Sequence, residues 1–231
     1  MPTAPLPADD PAPDTKYIVA IAVGHDAVSG GAISARGVTE HTFNAALARR
    51  IEAVLREHGI SAVIINPDSK PIPLLDRPAR ARAAGADLLI SVHHDSVQPQ
   101  YLEEWSYGGH RHRYSDRFHG YSLFTSGKNR AYEQSLTIAR HIGEALKRRG
   151  LAYSPHHAEP IKGENRPLVD HDVGIYCFDD LVVLKHATTP AVLIEAGIIV
   201  NRDEELTVSS DAYRTIVADA VVDAVERIHP R

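Results

Sequence analysis

Apolar positions along this chain follow two rhythms. From Tyr17 to Val23 the run YIVAIAV is short, β-branched and apolar at every position, as expected of a strand covered by helices on both faces, and it stops at Gly24. From Glu40 onward Phe43, Leu47, Ile51, Val54 and Leu55 recur at intervals of three and four. That spacing predicts an amphipathic helix, with Thr39 as its N-cap and Gly59 as its stop. AVIIN at 62–66 reads as a second buried strand, LLDRPARARAAG as a short helix, and Asp87 to His93 as a third strand. Later the alternation resumes with a strand GYSLFTS at 120–126, a long helix from about 129 to 149 closed by Gly150, and a strand AVLIEAG at 191–197. A last helix near Asp211 to Ile228 is expected to bury Ile216, Val217, Val221 and Val225.

Strands alternating with helices of this length predict a single α/β domain. Its central sheet is mostly parallel with helices on both faces, because parallel neighbours need crossover connections. Two segments carry neither rhythm: 97–119 is rich in aromatic, His and Arg residues, and 151–172 in His, Pro and charge. Irregular stretches of that length are read as functional loops. Residues 1–16 hold five prolines and little that can enter a core, so they are read as a disordered leader preceding a catalytic domain at 17–231.

Composition narrows the function classes. At 231 residues with 43% apolar content the chain can bury one sizeable core. A net charge of −5, with both signs interspersed, lacks the clustered positive face that nucleic acid requires. No apolar run reaches the length of a membrane span, and the start lacks the pattern of a secretory signal. The single cysteine, Cys177, excludes an intramolecular disulfide and a thiolate zinc site, leaving His, Asp and Glu as metal ligands.

In α/β sheets ligands bind at the carboxyl ends of strands. His25 follows the first strand across Gly24, His93 closes the third, Glu195 lies near the end of AVLIEAG, and Glu40 opens the first helix. Two imidazoles and a carboxylate supply three zinc ligands and leave a fourth position for water, the pattern of a catalytic site. Glu195 is then free to move a proton. By spacing alone an isolated His or Glu is more often a satisfied surface or core residue, and with 14 histidines several are bystanders.

Three motifs in order give these positions more weight. They are AVGHDAVSGGAISARGVTEHTFNAALA, LLDRPARARAAGADLLISVHHDS and TPAVLIEAGIIVNRDEE. With the strands and helices around them, over about residues 17–228, they resemble the AmiC-like N-acetylmuramoyl-L-alanine amidases, or amidase type 3. The first resembles the family's Asp-Pro-Gly-His-Gly segment running to a helix-initial Glu, the second its approach to Ser-Ile-His, the third its Pro-Ala-Val-Leu-Val-Glu-Gly-Phe-Ser-Asn strand and turn. The resemblance implies that His25, Glu40 and His93 bind Zn2+ and that Glu195 is the catalytic acid/base, with Asn201 and Glu204 or Glu205 continuing the match. It departs at Ala22-Val23, where the family has Asp-Pro, at Arg82, where it has Asn, and at Asp95, two after His93, where it has Asn.

The resemblance implies hydrolysis of the amide between N-acetylmuramic acid and L-alanine, in peptidoglycan or soluble muropeptides. It also implies a periplasmic or secreted setting, a protein activator as a possible partner, and a monomer without nucleic acid or a membrane span. Restrained family members carry a long helix that blocks the metal; none is legible here, so an open cleft is expected. The alternatives are a zinc peptidase cutting within the stem peptide and a non-catalytic wall-binding module.

Other residues are weighed beside these. Successive strand residues point to opposite faces, so His93 rather than His94 is expected at the metal. Asp95 shares the face of His93 and is read either as a partner orienting a ligand or as a loop-start Asp. Trp105, Tyr107, His110, His112 and Tyr114 form either a sugar or peptide contact surface or a packed loop. His156, His157, His171 and His186 are expected to be solvated loop histidines. Arg77 is read as structural, and Cys177 as a small buried residue rather than a nucleophile.

Overall fold

The computed structural model describes residues 16–230. The proline-rich leader expected at 1–16 therefore lies, but for Lys16, outside the described residues. In chain order the elements are β1 (Ile18–Val23), α1 (Glu40–Glu57), β2 (Ser61–Ile64), α2 (Asp76–Ala83), β3 (Leu88–Asp95), β4 (Glu103–Tyr107), β5 (His110–Tyr114) and β6 (Ser122–Thr125). There follow α3 (Tyr132–Arg148), β7 (Leu168–Asp170), β8 (Ile175–Cys177), α4 (Val182–His186), β9 (Ala191–Ile198), α5 (Glu204–Val208) and α6 (Asp211–Ile228).

Seven strands form one sheet in the order β2-β1-β3-β9-β6-β8-β7. β2, β1, β3 and β9 run parallel, β6 pairs antiparallel with β9 but parallel with β8, and β7 closes the edge antiparallel to β8. Because strand side chains alternate, each central strand divides its residues between two cores. Val19, Ile21, Val23, Leu88, Ile90, Val92, Val192 and Ile194 pack with α1, α3 and α6. Ala20, Ala22, Leu89, Ala191 and Leu193 pack with Ala81 of α2 and with Val183 and Leu184 of α4. Helices thus cover both faces, which is why β1 and β3 show no polar alternation.

In α1 the periodic residues Phe43, Leu47, Ile51, Val54 and Leu55 are all buried. Burying such a side chain stabilises the fold by about 1.5–3 kcal/mol, so tertiary packing, more than propensity, holds α1. Thr39 occupies the N-cap but makes no capping hydrogen bond. α6 buries Val217, Val221 and Val225 as expected, whereas Ile216 is only partly covered.

Side chains that take over backbone hydrogen bonds move two boundaries. β2 ends at Ile64, and Asn66 then bonds both the N–H and the carbonyl of Val23 at 2.9 Å. α3 starts at Tyr132, because Asn129 accepts from the Ala131 N–H and donates to the Leu184 carbonyl.

The segment 97–119, expected to be irregular, contains the antiparallel hairpin β4–β5. Its two-residue turn is Gly108-Gly109, with φ of 58° and 80°. Positive φ at both central positions is what a tight hairpin turn requires, and glycine meets it without strain. The hairpin is braced on the rest of the fold: the Trp105 indole donates to the Ala35 carbonyl, and the Arg36 and Arg202 guanidinium groups lie over the Trp105 ring at 5.4 and 5.2 Å.

Candidate active site

The turn after β1 brings the first ligand candidate into place. His25 has φ 61°, a left-handed conformation that costs a non-glycine residue about 1–3 kcal/mol. The surrounding chain fixes it. Arg77, buried in α2, donates to the carbonyls of Val23 at 2.7 Å and His25 at 2.8 Å, and the Gly24 N–H donates to Val92 of β3. Arg77 is structural, as expected, with backbone carbonyls as its hydrogen-bond partners.

Against this turn stand the start of α1 and the end of β3. Glu40 Oε2 lies 2.9 Å from His25 Nε2, and Glu40 Oε1 lies 3.0 Å from His93 Nδ1. One ligand atom from each of the three residues lies within 4.8 Å of the others. Burial alone would raise the Glu40 carboxyl, but contact with the His25 and His93 imidazoles outweighs it and holds the group well below the usual carboxylate range.

The space around these atoms is built into the backbone. A Cβ on Gly24 would lie 2.5 Å from His93 Cε1 and 2.7 Å from Asn44 Nδ2, and one on Gly31 would collide with Glu40 and His25. Two imidazoles and a buried carboxylate facing a common point, in a cradle that a single methyl group would fill, suit a metal ion with nitrogen and oxygen preference. Gly24→Ala is expected to displace His93 and lower zinc affinity by at least about 10-fold, the lower bound for disturbing a ligand's support. Competition with a chromogenic chelator measures the affinity, and circular dichroism unchanged from the parent shows that the fold is kept.

His93 and His94 separate as the strand alternation predicts. His94 faces α1, fully buried, with Nδ1 2.8 Å from Asn44 Oδ1, and desolvation pushes its imidazole down to about 3. Asn44 also donates to Glu40 Oε1 at 3.0 Å. It is a positioning residue that the sequence reading missed, although its place one turn after Glu40 on the same helix was a usable signal.

Glu195 stands directly beside His93, in register on the neighbouring strand β9. Its Oε2 is buried without a hydrogen-bond partner among the described residues. Burial, then the charges of Asp95 and Glu40, push this carboxyl well above the usual range. A cleft of about 490 Å³ opens over the metal-capable group, lined by His25, Arg77, Ser91 and His93 on one side and by Leu181 to Leu184 on the other. The long helix α3 packs away from it, in the layer with α1 and α6.

Other candidates fall elsewhere. Asn201 accepts from the Asp203 and Glu204 N–H groups and donates to the Phe118 carbonyl, while Glu204 accepts from Gly120 and Ile198. Glu205 forms a buried ion pair with Arg36 at 2.7 Å. These three hold the turn after β9. Tyr107, His110, His112 and Tyr114 belong to the braced hairpin; Tyr114 lies under Arg202 at 3.9 Å. Cys177 is half-buried, its thiol raised by burial and by Asp179, and no His is paired with it.

Two expectations need correction. His171 and His186 are exposed, but His156 and His157 are buried, at 2% and 8% exposure. A register shift between His93 and Asp95 carries the Asp95 carboxylate to these two histidines, so Asp95 does not orient His93. The sequence gives a Pro-rich loop no periodicity from which such burial could be read.

Comparison with known proteins agrees with this architecture. AmiA, an N-acetylmuramoyl-L-alanine amidase of Escherichia coli K12, is 27% identical over 236 residues, which cover 91% of this chain and 75% of AmiA. The endolysin of Bacillus phage SPP1 is 25% identical, covering 91% of this chain and 65% of its own length. In fold, the apo form of the N-acetylmuramyl-L-alanine amidase Ami1 of Mycobacterium abscessus superposes with a TM-score of 0.72 at 20% identity, over 91% of this chain and 97% of Ami1. The catalytic domain of CwlV, an amidase from Bacillus (Paenibacillus) polymyxa, superposes with a TM-score of 0.67 at 22% identity, over 92% and 97%. The family model described as N-acetylmuramoyl-L-alanine amidase matches residues 19–227, all but the ends of the described fold, and the chain belongs to that family.

Proposed function

We propose that the protein hydrolyses the amide between N-acetylmuramic acid and L-alanine, in peptidoglycan or its soluble fragments, using zinc held by His25, Glu40 and His93 and proton transfer by Glu195. The observation that carries this reading is the convergence of two imidazoles and a buried carboxylate in one glycine-lined cradle, with an unpartnered carboxyl in register beside it. A zinc ion held there would supply Lewis-acid polarisation of the scissile carbonyl and activation of water.

The chain's own residues supply the rest. Glu195, partly buried and free of protein hydrogen bonds at Oε2, accepts a proton from the attacking water and returns it to the alanine nitrogen as the C–N bond breaks. Arg77 and Asn44 keep His25 and Glu40 in place, and the Leu181–Leu184 wall gives the cleft an apolar side against which a substrate can be oriented. No helix among the described residues is long and apolar enough to cross a membrane. A wall substrate places the enzyme in the periplasm or outside the cell.

Mass spectrometry of a defined muramyl peptide incubated with the protein tests the bond assignment. A free peptide beginning with L-alanine is the expected product. Cleavage inside the stem would replace the amidase with a peptidase, and an intact substrate with zinc bound would make the domain a wall-binding module.

A further inference from the structure

A second group of metal-capable side chains lies at the same end of the sheet. His156 Nε2 and His157 Nε2 approach one oxygen, Asp95 Oδ2, at 3.2 and 2.8 Å. All three atoms are buried, yet none is aligned as a hydrogen bond, and their positions lie within 4.8 Å of one another. The two rings lie close together, centroids 3.9 Å apart and planes inclined by 36°. An ion pair between a carboxylate and an imidazolium would direct an N–H along the line to the oxygen. Here the N–H directions of the two rings do not line up with the oxygen, and the three atoms are left without an aligned partner among the described residues.

The outer contacts match that reading. His157 Nδ1 is held by Glu164 Oε2 at 2.9 Å, and His156 Nδ1 by Ser154 Oγ at 2.8 Å. Glu164 is itself fixed by Gln98 at 2.7 Å, and the other Asp95 oxygen accepts the Ser96 N–H. The Glu164 carboxylate, an acceptor, fixes the proton of His157 on Nδ1 and leaves the Nε2 lone pair for a metal, the arrangement that orients metal-bound histidine generally. Of the three, His157 lines a cavity of about 150 Å³ that Glu164 and Glu195 also line.

We infer that Asp95, His156 and His157 form a second binding site for a divalent first-row transition ion of zinc type, adjacent to Glu195 and separate from the His25–Glu40–His93 group. Two imidazoles and a carboxylate favour zinc or its late neighbours over magnesium or calcium. An ion there would fasten the loop between α3 and β7 to the end of β3.

The test is zinc stoichiometry by elemental mass spectrometry after loading with zinc and gel filtration. The expected result is two zinc ions per chain for the parent, one for His157→Asn, and one for His93→Ala. A single ion in the parent, lost in His93→Ala and retained in His157→Asn, overturns this inference and leaves the reading of the first site standing. Two ions in the parent with both retained in His157→Asn overturn it as well. If His157→Asn does not fold, zinc-edge anomalous scattering from crystals of the parent protein decides: a peak bounded by Asp95, His156 and His157 is expected, and a zinc-loaded crystal without one refutes the site.

Discussion

Glu195→Gln lowers kcat on a muramyl peptide by about 10²–10⁴-fold, the usual contribution of a positioned general acid/base, and leaves zinc bound. The residue is partly buried, in register with His93, and its buried Oε2 has no partner among the described residues. Glutamine keeps the volume and removes only the capacity to exchange a proton. Because burial disfavours the charged form of Glu195, and Asp95 and Glu40 add to that, the substitution is expected to change unfolding free energy by less than about 1.5 kcal/mol, as volume-conserving changes usually do. Steady-state kinetics, zinc content and urea unfolding on the same preparation check the three parts. A merely structural Glu195 would show the reverse: activity kept, stability lost.

His93→Ala removes a ligand rather than a proton carrier, so it takes the metal of the His25–Glu40–His93 group and activity together. Its Nδ1 faces Glu40 Oε1 at 3.0 Å, and no neighbour can replace it, since His94 is turned to α1 and engaged with Asn44. Zinc affinity is expected to fall by more than the roughly 10–100-fold that follows loss of an outer partner. His94→Ala is the contrast. It removes a fully buried side chain that packs on Phe43, so stability falls while zinc at the His25–Glu40–His93 group is retained. Equilibrium dialysis against zinc separates the two variants; equal depletion in both would make the loss a general effect of unfolding.

What could be read from the chain depended on how local the determinant was. β1, α1, β3 and β9 declare themselves because a strand buried on two faces, or a helix buried on one, writes its burial into adjacent residues. His25, His93 and Glu195 drew notice near strand ends and Glu40 at a helix start, but it was the three motifs and their resemblance that set them apart from the other histidines and carboxylates. β7 and β8, three residues each, carry too few positions for a period, and the hairpin β4–β5 exposes most of both strands, so its Gly108-Gly109 turn was the only local sign. His156 and His157 were misread for a different reason. They are buried against Phe118, Phe124 and Tyr176 and beside Asp95, partners distant along the chain that no pattern of apolar positions in the loop encodes.

The most direct test of the account is cleavage of a defined muramyl peptide by protein stripped with a chelator, before and after zinc is returned, in the parent and in Glu195→Gln. The account predicts no cleavage by stripped protein, recovery of the parent with zinc, release of a peptide beginning at L-alanine, and no comparable recovery of Glu195→Gln. Full activity in protein shown to be free of metal, or equal recovery of the two proteins, would contradict it.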